Sequence, residues 1–395
     1  MGLFKRILVL ALASSAAKGL VVPAAAPPEY PQEDIDSGKA LQDMSKLSKE
    51  AALKRISENP TEACNPDNVR VRKEWRSIPG EERIEYVKAV NCLMDTPDVY
   101  HNISGSKTLF DSFGLLHYYE TPYVHNSAWF LLFHRLYIWT FEDKLRSVCG
   151  YQGAFPYWEW GLDVGGVEQS PVFDGSPTSM GGNGEKVNKT IGPGFPMPGG
   201  TGGGCVQSGP FSNYTVNFGP LTQDDPLAPN PRCLKRDLNT ELCRQWTTLK
   251  NTTEVILQSP DVELFQANLQ GDMRYPESRK WGFSVHGGGH FIIGERFETT
   301  PAWPLLTDGD TDMDFLAGDP GGDFYFSIDR MYFVWQNLDW ENRQNVAGTI
   351  TMMNRPPSRN GTLEDVLDLS PVGPAHTLGE MLDTVGGTPF CFIYE

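Results

Sequence analysis

The sequence predicts a mainly α-helical protein whose helices form a bundle and are joined by long loops. Several segments carry apolar residues at helical spacing, and a long stretch rich in glycine and proline separates them. No internal repeat is evident along the 395 residues. We therefore expect one large helical domain with a sizeable hydrophobic core.

The helical elements are expected in this order: residues 35–60, 80–95, 126–146, 250–271 and 328–340. The segment 126–146 is apolar on nearly all sides, which indicates a helix buried in the core. Residues 20–34 are rich in proline and alanine and are expected to be extended. Residues 160–230 are rich in glycine and proline, so we expect long surface loops there, pinned by Cys205.

Charge and the N-terminal segment limit the possible partners. The formal net charge of -17 argues against a nucleic-acid partner, because phosphate binding needs a basic surface. Lys5 and Arg6 precede an apolar run over residues 7–17, which is typical of a secretory signal and too short to cross a bilayer. We predict a signal peptide over residues 1–19, a secreted domain over residues 20–395, and no membrane partner.

Two further patterns fit a secretory route. Sequons for N-glycosylation occur at Asn102, Asn188, Asn213, Asn251 and Asn360. The seven cysteines are expected to form disulfides in an oxidising compartment, with one thiol left over and the pairing not deducible from sequence. No CxxC motif is present, which argues against a thiolate zinc site.

Three of the seven histidines, His117, His125 and His134, lie close together in one aromatic segment. Thr121-Pro122 predicts a turn between the first two. His134 falls in the predicted core helix, where a neutral imidazole needs partners for both ring nitrogens. A metal ion on one nitrogen and an acceptor on the other would satisfy it, and an all-imidazole set suits copper, zinc, iron or nickel. The alternative is three buried histidines hydrogen-bonded to backbone.

A second pair of histidines, His286 and His290, lies far downstream in the motif HGGGH. In a helix, the spacing of four places both imidazoles on one face. The three glycines between them are unfavourable in a helix by about 1 kcal/mol each relative to alanine, so close packing or an open cavity must compensate. The alternative is a glycine loop with incidental histidines. No glutamate follows His286, so the HExxH metalloprotease motif is absent.

Several long motifs in order resemble the tyrosinase and catechol oxidase family of type 3 copper proteins, close to its short secreted fungal members. The motifs are FHRLYIWTFED, CGYQGAFPYWEWGLD, TGGGCVQSGPF, CLKRDLN, HGGGHF, IDRMYFVWQNLDW and GGTPFCFIYE, and they span most of the chain. The resemblance implies a helical bundle that holds a dinuclear metal site, with two coppers bound by three histidines each. His117, His125 and His134 then correspond to the ligands of the first copper, and His286 and His290 to two ligands of the second. The implied reaction uses dioxygen to oxidise a small aromatic substrate, a phenol or o-diphenol, to a quinone.

The chain departs from the family pattern where the last histidine ligand is expected. The family runs from a GD motif through an HH pair to a DR motif, whereas this chain passes from Ser327 directly to Ile328 and then to Asp329. About a dozen residues are missing at this join. Asp323 and Tyr325 are the nearest alternative ligands, each with a competing interpretation as a loop cap or a packed aromatic residue.

The sequence is compatible with three functions. The first is a two-copper phenol oxidase that resembles tyrosinase or catechol oxidase and acts in secondary metabolism. In this case the join reflects an error in the deduced coding sequence. The second is a non-oxidative tailoring enzyme with a single zinc ion, resembling haemocyanin-like cyclopenases. The third is a non-catalytic secreted copper-binding protein. Gly287 stands where many tyrosinases carry asparagine, which favours o-diphenols over monophenols. The sequence does not predict an oligomeric state.

Overall fold

The structure is a computed structural model that describes residues 28–187, 198–220, 224–294 and 326–395. Its helices are α1 (Gln32–Ser37), α2 (Lys39–Glu58), α3 (Gly80–Asp95), α4 (Leu109–Val124), α5 (Phe130–Ser147), α6 (Thr240–Trp246), α7 (Leu249–Leu257), α8 (Val262–Gln270), α9 (Ser284–Phe291) and α10 (Phe326–Leu338). The mainly α-helical class is confirmed. The predicted signal peptide over residues 1–19 lies outside the described residues.

Short strands pair two by two at the edges of the helical core. They are β1 (Arg70–Arg72), β2 (Gly184–Lys186), β3 (Gly203–Val206), β4 (Thr215–Val216), β5 (Arg232–Cys233), β6 (Val366–Asp368), β7 (Ala375–Thr377) and β8 (Phe392–Tyr394). The pairs β2–β3, β4–β5 and β6–β7 are antiparallel. The pair β1–β8 is parallel, so the last strand of the chain lies beside the first.

Three of the predicted elements differ from the structure. The extended segment predicted over residues 20–34 ends at Pro31, because the helix α1 begins at Gln32. The predicted helix over residues 250–271 is two helices, because α7 ends at Leu257 and Pro260 precedes the N-cap of α8, Asp261. The predicted turn at Thr121-Pro122 is absent, because α4 continues through Pro122 to Val124. Pro122 lies in the last turn of α4, where it removes only one hydrogen bond of that helix.

The core surrounds α5, which packs against α3, α4 and α10. Phe133 and Leu136 of this helix are fully buried, as expected for the segment that is apolar on nearly all sides. α10 packs along α2 and also contacts α7. α9 lies against α6 and α8. The helix group around α5 carries His117, His125 and His134, and the group around α9 carries His286 and His290.

A buried network of charged side chains joins α5 and α10 to the strands β1 and β8. Arg72 donates to Glu142 at 2.6 Å, and Arg135 donates to Asp329 at 2.7 Å. Tyr394 donates its hydroxyl to Asp329 at 2.7 Å and accepts from Arg72 at 2.9 Å. Because removing one member of a buried charge pair typically costs about 3–5 kcal/mol, this network fixes α5 firmly against α10.

Three disulfides and one thiol account for the seven cysteines. The pairs are Cys64–Cys391, Cys92–Cys149 and Cys205–Cys233, and the remaining thiol is Cys243. The expectations of several disulfides and of one unpaired cysteine are therefore confirmed. Within the described ranges, none of the helices has the length and apolar character that crossing a membrane requires.

Candidate metal centre

Three histidines from α4, α5 and the turn between them converge in the core. His117 lies inside α4, His125 caps its C-terminal end, and His134 lies inside α5. One candidate ligand atom from each of the three lies within 4.8 Å of the others. All three side chains are buried. The structure thus brings together the three residues of the predicted first site.

The backbone around these histidines explains how they meet. Thr108 and Asp111 form a capping box that fixes the N-terminus of α4, since each side chain accepts from the other residue's backbone N–H. His125 follows the last turn in an extended conformation, with φ of -114° and ψ of 143°. The chain then reverses, and α5 begins at Phe130. α5 therefore returns past α4 and brings its second turn to His117 and His125.

Each of the three imidazoles has an oxygen acceptor beside Nδ1, four residues away in sequence. His134 Nδ1 lies 2.7 Å from the carbonyl of Phe130, and His125 Nδ1 lies 3.2 Å from the carbonyl of Thr121. His117 Nδ1 lies 3.2 Å from the hydroxyl of Thr121, which itself donates to the carbonyl of His117 at 2.7 Å. These partners assign the proton to Nδ1 in every ring and leave each Nε2 with a lone pair.

The Nε2 atoms of His117 and His134 are only 3.4 Å apart. With Nδ1 protonated in both rings, two lone pairs face one another, and this contact is unfavourable unless a cation lies nearby. The donor set therefore fits a metal ion that is bound by imidazole nitrogen.

Burial keeps these imidazoles neutral. Desolvation lowers the pKa of His125 to about 4 and the pKa of His134 to about 3. Desolvation, together with the neighbouring histidines, lowers the pKa of His117 well below its ordinary value. A metal ion binds the neutral ring, so the environment prepares the form that metal binding requires.

The predicted second pair lies on α9 and adjoins the first cluster. The Nε2 atoms of His286 and His290 are 3.2 Å apart. The rings of His125 and His286 are nearly parallel, with an interplanar angle of 20° and centroids 5.8 Å apart. Desolvation lowers the pKa of both α9 histidines well below the ordinary value. The structure therefore brings all five predicted residues into one buried cluster.

Close packing explains the glycines of the HGGGH motif. A Cβ on Gly288 would lie 2.7 Å from Cβ of Trp246 and 2.8 Å from Cγ2 of Thr247. A Cβ on Gly289 would lie 2.6 Å from the ring of Trp160. The glycines thus let α9 approach α6 and the segment around Trp160 more closely than any other residue type would allow.

The third ligand of the second cluster stays a prediction. Asp323 and Tyr325, the two alternatives from the sequence, lie outside the described residues. Among the residues that the structure describes, His117, His125 and His134 form the one group of three potential ligands.

The chain is anchored on both sides of the join, at the start of α10. The hydroxyl of Ser327 donates to the carbonyl of Trp158. Arg330 donates to Glu159 at 2.6 Å, and both side chains are almost fully buried. Arg330 also donates to the hydroxyl of Ser45 in α2 at 2.8 Å, and Asp329 accepts from Arg135 of α5 at 2.7 Å. The DR motif that follows the join is therefore held in the core by contacts with these three separate segments.

Sequence reasoning missed Thr121 and Phe130 as partners of the histidines. The signal was present, because His117, Thr121 and His125 recur at a spacing of four, as do Phe130 and His134. The ring of Phe130 also lies between the two halves of the cluster, with centroid distances of 4.9 Å to His134 and 5.2 Å to His286.

A buried group of three histidines beside a buried histidine pair, on a helical scaffold, fits a class of proteins that bind metal through imidazole. Comparison with known proteins specifies the family within this class. The model of the common central domain of tyrosinase matches residues 107–338. The chain therefore belongs to the tyrosinase family and is a tyrosinase-like oxidoreductase, and the family implies a type 3 dicopper centre.

Individual relatives agree with this assignment. N-acetyl-6-hydroxytryptophan oxidase ivoB of Emericella nidulans is 32% identical over 380 residues, which cover 89% of this chain and 99% of that protein. Tyrosinase P of Aspergillus terreus is 30% identical over 359 residues, covering 85% and 94%. The solved structure of a glycine-to-asparagine variant of polyphenol oxidase from Thermothelomyces thermophila superposes with a TM-score of 0.79 at 30% identity, covering 92% of this chain and 100% of that one.

Proposed function

We propose that this protein binds two copper ions and uses dioxygen to oxidise phenols or o-diphenols to quinones. His117, His125 and His134 would hold the first ion, and His286 and His290 would supply two ligands of the second. The observation that carries the proposal is the set of Nδ1 contacts. They direct the Nε2 lone pairs of three buried imidazoles toward one another, and this arrangement favours a bound cation.

The roles of the protein in this chemistry follow from the buried cluster. When bound, the copper pair supplies the redox chemistry that links the aromatic substrate to dioxygen. Two o-diphenols each lose two electrons and two protons, and one dioxygen takes up all four of each to become two waters. The imidazoles stay neutral because they are buried, and their Nδ1 contacts fix ring orientation. Phe130 contributes an apolar wall between the two ligand groups and keeps water away from them.

The proposed substrate is a small hydroxylated aromatic compound of secondary metabolism. One relative is named as an oxidase of N-acetyl-6-hydroxytryptophan, which is a small aromatic compound with a phenolic hydroxyl group. Gly287 provides no side chain beside His286 that would accept a proton from a monophenol. We therefore propose that o-diphenols are oxidised in preference to monophenols.

We further propose that the protein is secreted after removal of residues 1–19. The three disulfides support this proposal, because such bonds form and persist in oxidising compartments.

The sequons are not equivalent as glycosylation sites. Asn102, Asn213 and Asn360 are exposed, whereas Asn188 lies outside the described residues. The side-chain amide of Asn251 donates to the carbonyls of Gln245 and Trp246, both at 3.0 Å. Attachment of a glycan would replace one of the two amide hydrogens and remove at least one of these bonds, so we propose that Asn251 is the sequon least used among the described ones.

The test is metal analysis combined with oxygen uptake on the purified protein. We expect two coppers per chain, with oxygen consumption on catechols that exceeds consumption on matched monophenols. One zinc per chain without oxygen uptake would overturn the proposal in favour of the non-oxidative enzyme. Bound copper without turnover on either substrate class would favour a copper-binding protein.

Sequencing the transcript across Ser327–Ile328 complements this test. Reads that insert about a dozen codons containing histidine would supply the missing ligand. Reads that join the two residues directly would contradict a coding-sequence error and would favour the single-zinc enzyme or the copper-binding protein.

A further inference from the structure

His125 differs from the other four histidines in its backbone. His117, His134, His286 and His290 lie inside helices, whose hydrogen bonds fix their positions. His125 lies beyond the last turn of α4 in an extended conformation. Its position therefore depends on contacts made by the residues around it.

The residue after His125 is held by three tertiary hydrogen bonds. Asn126 has a left-handed backbone, with φ of 45°, a conformation that costs a non-glycine residue about 1 kcal/mol or more. Its N–H donates to the side-chain oxygen of Gln270 at 2.8 Å. Its carbonyl accepts from Arg274 at 3.0 Å and from the N–H of Met353 at 3.1 Å. These bonds compensate for the unfavourable backbone and fix the chain directly after His125.

The same end of α8 also holds the segment that carries the second pair. Ser284, two residues before His286, again has a left-handed backbone, with φ of 56°. Its hydroxyl donates to the carbonyl of Asn268 at 2.5 Å. The C-cap of α8, Gly271, passes so close to Gly282 that an added Cβ would lie 1.9 Å from the Gly282 carbonyl. The C-terminal turn of α8 thus contacts the backbone of both ligand groups.

We propose that Gln270 is a positioning residue that sets the place of His125 relative to His286. The proposal rests on the function proposed above, since both histidines are assigned as copper ligands there. Gln270 is the side chain through which α8 reaches the His125 segment, whereas α8 holds Ser284 through a backbone carbonyl. A substitution at Gln270 therefore loosens one ligand group and leaves the other attached.

The chain offers matched variants for this test. Gln270→Met removes the acceptor at similar size, and Gln270→Glu keeps an oxygen that accepts from Asn126. Gln266, one turn earlier on α8, donates to the carbonyl of Ala347 at 2.8 Å, so Gln266→Met removes a comparable bond without touching Asn126. Both glutamines line one polar cavity of about 390 Å³, which gives methionine room at either position.

Two measurements decide the matter. The first is amide hydrogen exchange of a peptide spanning Asn126 in the metal-free protein, and the second is copper affinity by competition with a chelator. We expect about tenfold faster exchange and about tenfold weaker binding of copper in Gln270→Met, with Gln270→Glu restored close to wild type. Gln266→Met should match wild type in both measurements.

Equal behaviour of Gln270→Met and Gln266→Met in both measurements would overturn the proposal. Failure of the wild-type protein to bind copper would overturn the proposed function instead. In that case the exchange measurement on the metal-free protein still decides whether Gln270 fixes the His125 segment.

Discussion

The two halves of the histidine cluster are held in different ways. In the first half, every imidazole is oriented by an oxygen four residues away on its own segment, at 2.7 Å for His134 and 3.2 Å for His117 and His125. In the second half, α9 is placed by glycines that pack against Trp160 and Trp246. Local hydrogen bonds thus orient the rings of the first half, whereas close packing of glycines places the second half.

The two halves are expected to differ in how well they tolerate amino-acid substitutions. Orientation by a nearby carbonyl survives small shifts of the surrounding helices, because the acceptor moves with the imidazole. Orientation by close packing is lost more easily, because protein interiors are dense and a single added methyl group is destabilising. We therefore expect the second half to be the more fragile one toward substitutions outside the ligands themselves.

The largest expected effect comes from removing a ligand of either half. His134→Ala and His290→Ala should each lower the rate of diphenol oxidation by more than about 100-fold, which exceeds the usual loss from an outer-shell partner. The measurements are oxygen uptake and copper content. The control is His101→Asn, because His101 is exposed and its φ of 51° suits asparagine.

If either alanine variant kept wild-type copper content and turnover, its histidine would not be a ligand. Loss of one copper in His290→Ala with retention of the other would show that the first half binds its ion without the second.

The next largest expected effect is a fall in the free energy of unfolding at acid pH. It can be measured for one histidine of each half and so compares the two halves. Unfolded histidines take up a proton near pH 6.5, whereas burial lowers the folded-state pKa of His134 to about 3. Between these pH values the unfolded chain binds more protons. The free energy of unfolding of the metal-free protein should therefore fall as pH falls from 6.5, by up to about 1.4 kcal/mol per pH unit for each buried histidine.

Substitutions in each half isolate this contribution from the carboxyl groups. Burial raises the pKa of Glu74 and Asp111, so these groups act in the opposite sense. His134→Phe and His290→Phe should each flatten the pH dependence by the contribution of one histidine, measured by urea unfolding at pH 7 and pH 5.5. An unchanged slope in either variant would mean that the replaced imidazole takes up its proton as readily in the folded metal-free protein as in the unfolded chain.

The first half of the histidine cluster was also more predictable from the sequence than the second half. The positions of α2, α3, α5 and α10 and the proximity of His117, His125 and His134 were predictable, because apolar periodicity and motif spacing are local signals. The continuation of α4 through Pro122 was not, since proline usually ends a helix, and tertiary contacts decide when it does not. The Nδ1 acceptors could be located only once that helix was known.

The position of α9, which carries the second half, could not be predicted from the residues near it in sequence. Nothing near the HGGGH motif indicates that Trp160, more than a hundred residues earlier, fills the space beside Gly289. The costs of the glycines in a helix did predict that something had to compensate, and close packing is the compensation that the structure contains. The link from Gln270 to Asn126 spans 144 residues and has no sequence signal of its own.

A smaller effect tests the packing of the second half. Gly289→Ala should destabilise the protein by about 1–3 kcal/mol, because the new Cβ overlaps the buried ring of Trp160. Gly287→Ala should be milder, since its Cβ meets Cβ of Phe283, the residue before the helix, at 2.9 Å rather than a buried ring, and alanine favours a helix by about 1 kcal/mol. Thermal unfolding measures both, and equal losses would mean that α9 is not placed by contact with Trp160.

The smallest expected effect tests the local hydrogen bonds of the first half. Thr121→Val removes the hydroxyl that accepts from His117 Nδ1 and should weaken copper binding by about tenfold, at the low end for an outer-shell partner. Thr121→Ser keeps the hydroxyl and should bind copper as the wild type does. Competition with a chelator measures the affinity. Because valine closely matches threonine in shape, a loss confined to Thr121→Val would come from the lost acceptor rather than from packing. Equal affinities in the two variants would instead mean that the helix alone orients His117, and the first half would then depend on packing as the second half does.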